Sequence, residues 1–218
     1  MSADLIWSTA PQGSEEWHAA RRGVITASRF KDAREKLKNG EPTGKSKLYA
    51  YDVARERCGG TVAEVYQNAA MRFGSEQEPF ARMELEARKG YLVQEAGFAV
   101  TPDGAFGVSV DGLVGAEGII EIKTMVSSDT LFTAVVDGDI SAYRDQIVGA
   151  LWLTGRKWCD LVLWAPDLAG IGRDMTVIRI ERDEAEIEAL SADLTAFWRR
   201  VQALELKLRG QQELPMAA

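Results

Sequence analysis

Asp111, Glu121 and Lys123 are the residues whose types and spacing could do chemistry. They fall in Val108-Ser109-Val110-Asp111-Gly112 and in Gly118-Ile119-Ile120-Glu121-Ile122-Lys123-Thr124. Branched apolar residues separate them, as in strands, where positions i and i+2 share a face. Glu121 and Lys123 therefore project together while Ile120 and Ile122 enter the core, and Ser109 shares the face of Asp111. Ala116-Glu117-Gly118 supplies a tight connection that sets Asp111 beside Glu121 on neighbouring strands. Two carboxylates and an ammonium converging in this way are costly, because like charges repel and a buried lysine needs compensation. A hard divalent cation supplies it: Mg²⁺ or Mn²⁺ takes oxygen ligands from Asp and Glu and inverts the local electrostatics. With the lysine facing a bound water or a phosphate, this is equipment for metal-assisted phosphodiester hydrolysis. A surface hairpin with an ordinary Glu–Lys pair carries the same pattern, and Asp-x9-Glu-x-Lys alone matches often by chance.

The elements that must position these residues are legible on either side. Gly13-Ser14 starts a helix whose first turn holds Glu15 and Glu16 and which carries Trp17, His18 and Arg21 to a stop near Gly23. Thr26 is the N-cap expected for a helix through Ala27, Phe30, Ala33 and Leu37. His18, the single histidine, suits packing or an indirect hydrogen bond better than catalysis. Gly44-Lys45-Ser46 lacks the glycine and the preceding strand of a phosphate-binding loop, so an NTPase is rejected, and Ser46 is expected to cap a helix from Leu48 to about Cys58. The region from Asn68 to Lys89 is helical, with a break expected near Ser75 because Gly74 and Pro79 interrupt it. Most of its glutamates are solvated, and Glu78 leans towards the metal. Strands follow at Tyr91–Val100, Phe106–Asp111 and Ile119–Thr124. A helix begins at Ser127-Ser128, a stronger amphipathic one spans Ser141–Thr154 with Gln146 on it, and strands Trp158–Ala165 and Met175–Ile180 precede a terminal helix capped by Asp183. The expectation is one α/β domain, residues 1–210, with a central mixed β-sheet flanked by helices, and a C-terminal tail over 211–218.

Composition narrows the function classes. The chain has 218 residues, 46% hydrophobic and 27% charged, as in ordinary soluble globular proteins. No apolar run approaches a membrane span and no leader precedes Asp4-Leu5-Ile6-Trp7, so a cytoplasmic protein without a membrane partner is expected. Two cysteines, Cys58 and Cys159, are too few for a disulfide framework and read as reduced thiols. A net charge of −7 excludes a protein that coats nucleic acid non-specifically. Between Arg21 and Arg57, however, eleven basic residues face five acidic ones, which favours a phosphate-binding side there. The six tryptophans are expected mostly in the core rather than as base-stacking platforms.

Taken together, these pieces resemble the lambda-exonuclease family, the YqaJ-type viral recombinase nucleases, within the PD-(D/E)xK, restriction-endonuclease-like fold. The likeness rests on Glu16-Trp17-His18-Ala19-Ala20-Arg21-Arg22-Gly23-Val24-Ile25-Thr26-Ala27-Ser28, on Phe73-Gly74-Ser75-Glu76-Gln77-Glu78, and on Ser109-Val110-Asp111-Gly112 with Glu121-Ile122-Lys123. Ala142-Tyr143-Arg144-Asp145-Gln146 fits the family's glutamine-bearing helix. Val110 stands where the family name promises proline, a position that shapes the strand end without supplying a ligand.

The resemblance implies Mg²⁺-dependent, processive digestion of linear double-stranded DNA from the 5′ end, with mononucleotides released and a 3′ overhang left for phage recombination. It also implies a ring-shaped homotrimer, a bacterial host cytoplasm and a phage single-strand annealing protein as partner. In that scheme Asp111, Glu121 and the carbonyl of Ile122 hold the metal, with Glu78 completing a second site or a water-mediated shell. Lys123 orients or deprotonates the attacking water, and Gln146 positions the nucleophile or a metal-bound water. Arg21, Ser28 and Ser109 form a 5′-phosphate pocket, with Ser28 at a helix start and Arg21 supplying a bidentate fork. Met71, seven residues before Glu78, is either a wedge between terminal base pairs or core filler. The competing readings are a site- or structure-specific endonuclease on the same fold and a non-catalytic scaffold that binds DNA ends.

Overall fold

Branched apolar residues at period two and capped amphipathic stretches at period 3.6 sort the chain into strands and helices. The computed structural model describes residues 4–61 and 69–210. The order is β1 (Ile6–Trp7), α1 (Glu15–Arg21), β2 (Ile25–Thr26), a 3₁₀ turn (Ala27–Arg29), α2 (Phe30–Arg34), α3 (Gly44–Arg57) and α4 (Ala69–Lys89). Then come β3 (Phe98–Val100), β4 (Phe106–Ser109), β5 (Gly112–Val114), β6 (Gly118–Thr124), α5 (Ser128–Leu131), a π-helical turn (Phe132–Val136) and α6 (Ser141–Thr154). β7 (Trp158–Trp164), a second 3₁₀ stretch (Pro166–Ile171), β8 (Met175–Glu181) and α7 (Glu184–Leu208) complete it. The expected tail, 211–218, lies outside the described residues.

The expected α/β domain forms, with its mixed strands shared between two four-stranded sheets, ordered β1-β3-β4-β2 and β5-β6-β7-β8. In the second sheet β6 runs parallel to β7 and antiparallel to β5. The chain passes from one sheet to the other at Val110-Asp111, between β4 and β5. Gly112 makes the crossing possible, since a Cβ there would lie 2.1 Å from Cγ1 of Val93 and 3.1 Å from Ile120. The sheets also read as shorter than expected. Of the stretch 91–100 only β3 is a strand, with one isolated bridge from Gln94 to Leu113.

β6 is buried on both faces, which accounts for its near-continuous apolar run. Ile119, with Leu161 and Leu163 of β7, joins a core completed by Ile147 and Leu151 of α6, Leu190, Leu194 and Phe197 of α7, and Phe30 of α2. Ile120 and Ile122 face Ala81 and Leu85 of α4, along with Val162 and Trp164. Full burial of each such side chain is worth roughly 1.5–3 kcal/mol, a reserve against which a few costly polar groups can be held. α6 comes close to α2 because Gly149 leaves room for the ring of Phe30, whose Cδ2 would be 2.3 Å from an added Cβ.

Three local expectations are corrected. α4 runs unbroken through Gly74 and Pro79. Pro79 removes one intrahelical bond, and Ala81 and Leu85 anchor the helix on the sheet across it. The cap of α3 is Thr43, whose hydroxyl accepts from Ser46 N, while buried Ser46 donates to the carbonyl of Ala33. The stretch after Thr26 is a 3₁₀ turn followed by the five-residue α2, and Leu37 is exposed. Asp183 caps α7 as expected, accepting from the amides of Ala185 and Glu186. No described helix is long and apolar enough to cross a membrane.

Candidate active site

Asp111 occupies the crossing between the sheets. Its amide donates to Ile120 O at 3.2 Å, and its Oδ2 accepts from Ile122 N at 2.6 Å. The antiparallel register Gly112–Ile120 sets Asp111 opposite Glu121. Glu121 is only 3% exposed, on the face of β6 turned towards α6. Lys123 Nζ lies 2.8 Å from Glu121 Oε1. From α6, Gln146 donates through Nε2 to that same oxygen and accepts from Lys123 Nζ through Oε1 at 3.3 Å. The Tyr143 ring, one helical turn before Gln146, has its centroid 5.9 Å from Lys123 Nζ. Gln146 thus ties acid and base into one unit, since its amide offers both a donor and an acceptor.

The charges repel as the sequence suggests. Burial first, then the charges of Glu121 and Glu78, push the Asp111 carboxyl well above the usual carboxylate range, against the pull of Lys123 and the Ile122 amide. Burial raises Glu78 as well, with a contribution from Glu121, while Arg82 and Lys123 oppose it. Burial pulls the Lys123 ammonium down, but Glu121 and Asp111 outweigh it and hold the lysine above its ordinary value.

This excess of buried negative charge fits a hard cation. Among the described residues, no three acidic, histidine or cysteine side chains converge closely enough to enclose an ion by themselves. The donor set that fits is therefore Asp111, Glu121, the carbonyl of Ile122 and solvent, and Mg²⁺ characteristically keeps several waters. Glu78 borders the same cavity from α4.

The phosphate corner is assembled across the Gly23 turn. Arg21 Nη1 donates to Ser109 Oγ at 3.2 Å, and its guanidinium lies 4.2 Å from the Trp17 ring centroid and 5.2 Å from that of Phe98. Burial lowers the Arg21 pKa from its ordinary value. Gly23, at φ +69°, donates through its amide to Glu56 Oε2 at 2.9 Å, and its carbonyl accepts from Arg57 Nη1 at 3.2 Å. The end of α3 thereby fixes the angle between Arg21 and Ser28. Tyr49, buried beneath, accepts from Thr26 N at 3.1 Å. Ser28 is exposed, with its hydroxyl 3.4 Å from that of Thr26. It stands on a 3₁₀ turn, so a long helix dipole does not contribute there.

One cavity of about 180 Å³ gathers nearly all of the expected residues: Arg21, Ser28, Ser109, Asp111, Glu121, Ile122, Lys123, Gln146 and Glu78. Gln12, Trp17, Thr26 and Ala27 also line it and were not singled out from the sequence as site residues. Trp17 stands in the quoted Glu-Trp-His stretch, which was the available signal. Met71 is 47% exposed on α4, so it is not core filler, and it borders neither this cavity nor the larger groove beside it.

Part of the basic stretch is paired within the fold. Arg34 pairs with Asp145 and Asp193, Lys36 with Asp193, Lys45 and Arg29 with Asp32, and Arg57 with Glu205. Three of its cations, Arg34, Lys36 and Arg57, thereby fasten the N-terminal part of the chain to α6 and α7.

A family model described as the YqaJ-like viral recombinase domain matches residues 16–157. The chain is similar to the solved structure of an alkaline exonuclease, LHK-Exo, from Laribacter hongkongensis, at 34% identity over 90% of this chain and 97% of that one, with a TM-score of 0.80. The same match is found to LHK-Exo in complex with dAMP. A phage-related exonuclease from Haemophilus somnus 129PT shares the fold at 17% identity, over 84% of this chain and 96% of that one, with a TM-score of 0.68. No curated protein matches.

Proposed function

The chain belongs to the YqaJ-like viral recombinase family, and from that premise and the site geometry we propose that it is a metal-dependent exonuclease on linear double-stranded DNA. It acts from the 5′ end, releases mononucleotides and leaves a 3′ overhang for strand annealing. The observation that carries this reading is the single cavity that joins Arg21, Ser28 and Ser109 to Asp111, Glu121, Lys123 and Gln146. An anion-binding corner next to a carboxylate–lysine set is what cleavage at a phosphorylated end requires. The similar Laribacter enzyme, known in complex with dAMP, supports a mononucleotide product.

In this reading Arg21, with the hydroxyls of Ser28 and Ser109, grips the terminal phosphate. Mg²⁺, with Mn²⁺ as a substitute, would be held by Asp111, Glu121 and the Ile122 carbonyl, with Glu78 through water, and would supply an activated water and charge neutralisation at the phosphoryl oxygens. Lys123, kept charged by its two carboxylate neighbours, donates to the attacking water or to a phosphoryl oxygen. Gln146 holds Glu121 and Lys123 in register. Met71 is the wedge that parts the terminal pair, so Met71→Ala should slow digestion of blunt ends relative to pre-frayed ones. A homotrimeric ring and a phage single-strand annealing partner complete the proposal, and light scattering of the purified protein tests the former.

The deciding experiment gives the protein end-labelled linear duplex and covalently closed circles with Mg²⁺. Release of 5′-terminal mononucleotides from the linear DNA, with circles spared and EDTA abolishing the reaction, is expected. Cutting of circles at a comparable rate would instead indicate an endonuclease, and no hydrolysis of either would indicate a binding scaffold.

A further inference from the structure

One polar side chain of α4 stands in a row that a core would ordinarily fill with apolar ones. Residues four apart on a helix lie above one another on the same face, and Gln77, Ala81 and Leu85 form such a row. Ala81 and Leu85 are fully buried, in a cluster with Ile120, Ile122, Val162 and Trp164. Gln77 continues the row one turn earlier, where its Oε1 accepts from the indole Nε1 of Trp164 at 3.1 Å. Trp164 is 8% exposed and closes β7. It pairs in register with Thr124, the residue after Lys123, and its carbonyl accepts from Met125 N at 2.7 Å. The indole bond therefore fastens α4 to the end of the sheet that carries the lysine.

Glu78 is the next residue. A step of one residue turns ~100° about the helix axis, which takes its side chain off the sheet and to the cavity it shares with Asp111, Glu121 and Lys123. Where that carboxylate reaches depends on how α4 is rotated about its axis, and the apolar packing that could set the rotation lies further on. α4 holds no buried residue before Ala81. Pro79 has no N–H to give to the carbonyl of Ser75, so the helical ladder is interrupted immediately after Glu78. Glu78 also stands among opposed charges, repelled by Glu121 and attracted by Arg82 and Lys123.

We propose that Gln77 is a positioning residue for Glu78: by accepting from the Trp164 indole it fixes the rotation of α4 ahead of Pro79 and holds the Glu78 carboxylate at the cavity. The inference rests on the metal-dependent exonuclease reading of that cavity. A leucine at position 77 would continue the row of Ala81 and Leu85, so packing gives no reason for an amide there. Orientation does. Apolar contact is non-directional, whereas a hydrogen bond to an indole N–H has a preferred length and angle. Gln77 and Glu78 divide the turn between them, one tied to the sheet and the other free to face an ion and its waters.

The test follows Mg²⁺ binding through the melting temperature of the full chain without DNA, which rises with a bound ligand by mass action. Single-turnover cleavage is read over the same Mg²⁺ series. Glu78→Ala should raise the Mg²⁺ concentration needed for a given shift about tenfold, the lower end of what loss of an outer partner costs a metal site. Gln77→Leu should raise it part of the way, and Trp164→Phe should do the same from the other end of the bond. Gln77→Glu, which keeps an acceptor for the indole, should not raise it. Adding Gln77→Leu to Glu78→Ala should change nothing further, because the group it positions is gone. A glutamine with only a structural role would lower the melting temperature at every Mg²⁺ concentration and leave the dependence unmoved. Wild-type dependence in Gln77→Leu, or in Trp164→Phe where Gln77→Leu does not fold, overturns the proposal, as does full additivity with Glu78→Ala. If wild type itself neither takes up Mg²⁺ nor cleaves, the exonuclease reading falls instead.

Discussion

The amide of Ile122 donates to Oδ2 of Asp111 at 2.6 Å, so the second carboxylate motif holds the first in place through its backbone. The bond does not remove the cost of the charge. Burial and the neighbouring Glu121 and Glu78 raise the Asp111 pKa in the folded state. A raised carboxyl binds protons more tightly when folded, so stability is lost as pH climbs from the unfolded value, ~3.9, towards the folded one. Asp111→Asn keeps the acceptor and removes the charge. In EDTA the variant should melt a few degrees above wild type, at ~2–4 °C per kcal/mol for a chain of this size, while cleavage and Mg²⁺-induced stabilisation disappear. Calorimetry with and without Mg²⁺ reads both, and a lower melting temperature in EDTA would contradict the account.

Lys123 and Gln146 should separate by magnitude. Lys123→Ala removes the donor aimed at the reacting atoms and should cost ~10²-fold or more in single-turnover rate, with Mg²⁺ binding retained. Gln146→Ala leaves the 2.8 Å Lys123–Glu121 pair in place and loses only the clamp. A decrease of about tenfold is expected for it. Equal losses in the two variants would move Gln146 from positioning into the chemistry.

The Gly23 turn offers a way to disturb the phosphate corner without touching its ligands. A Cβ at Gly23 would sit 2.6 Å from Cγ of Arg57, on a residue at φ +69°, and the left-handed conformation alone costs ~1–2 kcal/mol. Gly23→Ala should therefore lower stability by about 2 kcal/mol or more and reduce the preference for 5′-phosphorylated over 5′-hydroxyl ends. Arg21→Ala should abolish that preference with less loss of stability. Rates on both end types, with urea unfolding of each variant, distinguish the two effects.

Acid should weaken the edge of the second sheet. Asp160, 1% exposed, accepts from Arg179 and, at 2.5 Å, from Tyr91 OH. Burial raises its carboxyl, but those partners outweigh burial and hold it below its ordinary value. A depressed carboxylate stabilises above its unfolded pKa, ~3.9, and that contribution fades as pH falls through the folded value. Arg179→Met should cost ~1–2 kcal/mol at pH 7, the lower part of the range because the Arg179 side chain is 42% exposed. The difference from wild type should shrink as pH falls below the unfolded value and through the folded one, which urea titrations over a falling pH series would show.

What was legible in the chain was local. Period-two alternation sufficed to put Glu121 and Lys123 on one face and Asp111 opposite, because strand geometry depends on nearest neighbours. Arg21 and Ser109, 88 residues apart, were joined through a family likeness and not through spacing. The break expected in α4 failed because the packing of Ala81 and Leu85 on β6 and β7, just beyond Pro79, holds the helix in place across an interruption that residue propensity alone counts as costly. The cap of α3 slipped from Ser46 to Thr43 because both residue types can cap, and only the fold selects between them. The fate of the basic stretch was hidden for a different reason. Its partners Asp145, Asp193 and Glu205 lie 111, 159 and 148 residues further along, beyond any pattern a linear reading could use.

That pairing of Arg34, Lys36 and Arg57 with acids of α6 and α7 also bears on how the molecule meets a polyanion. Cations already neutralised within the fold displace few condensed counterions when DNA arrives, and each phosphate contact contributes only about 0.9 to the slope of log K against log salt. With a net charge of −7 and a phosphate grip concentrated at Arg21, binding should be less sensitive to ionic strength than for a protein that coats duplex. Internal stretches of DNA then offer little hold, and the terminus becomes the place where the molecule stays.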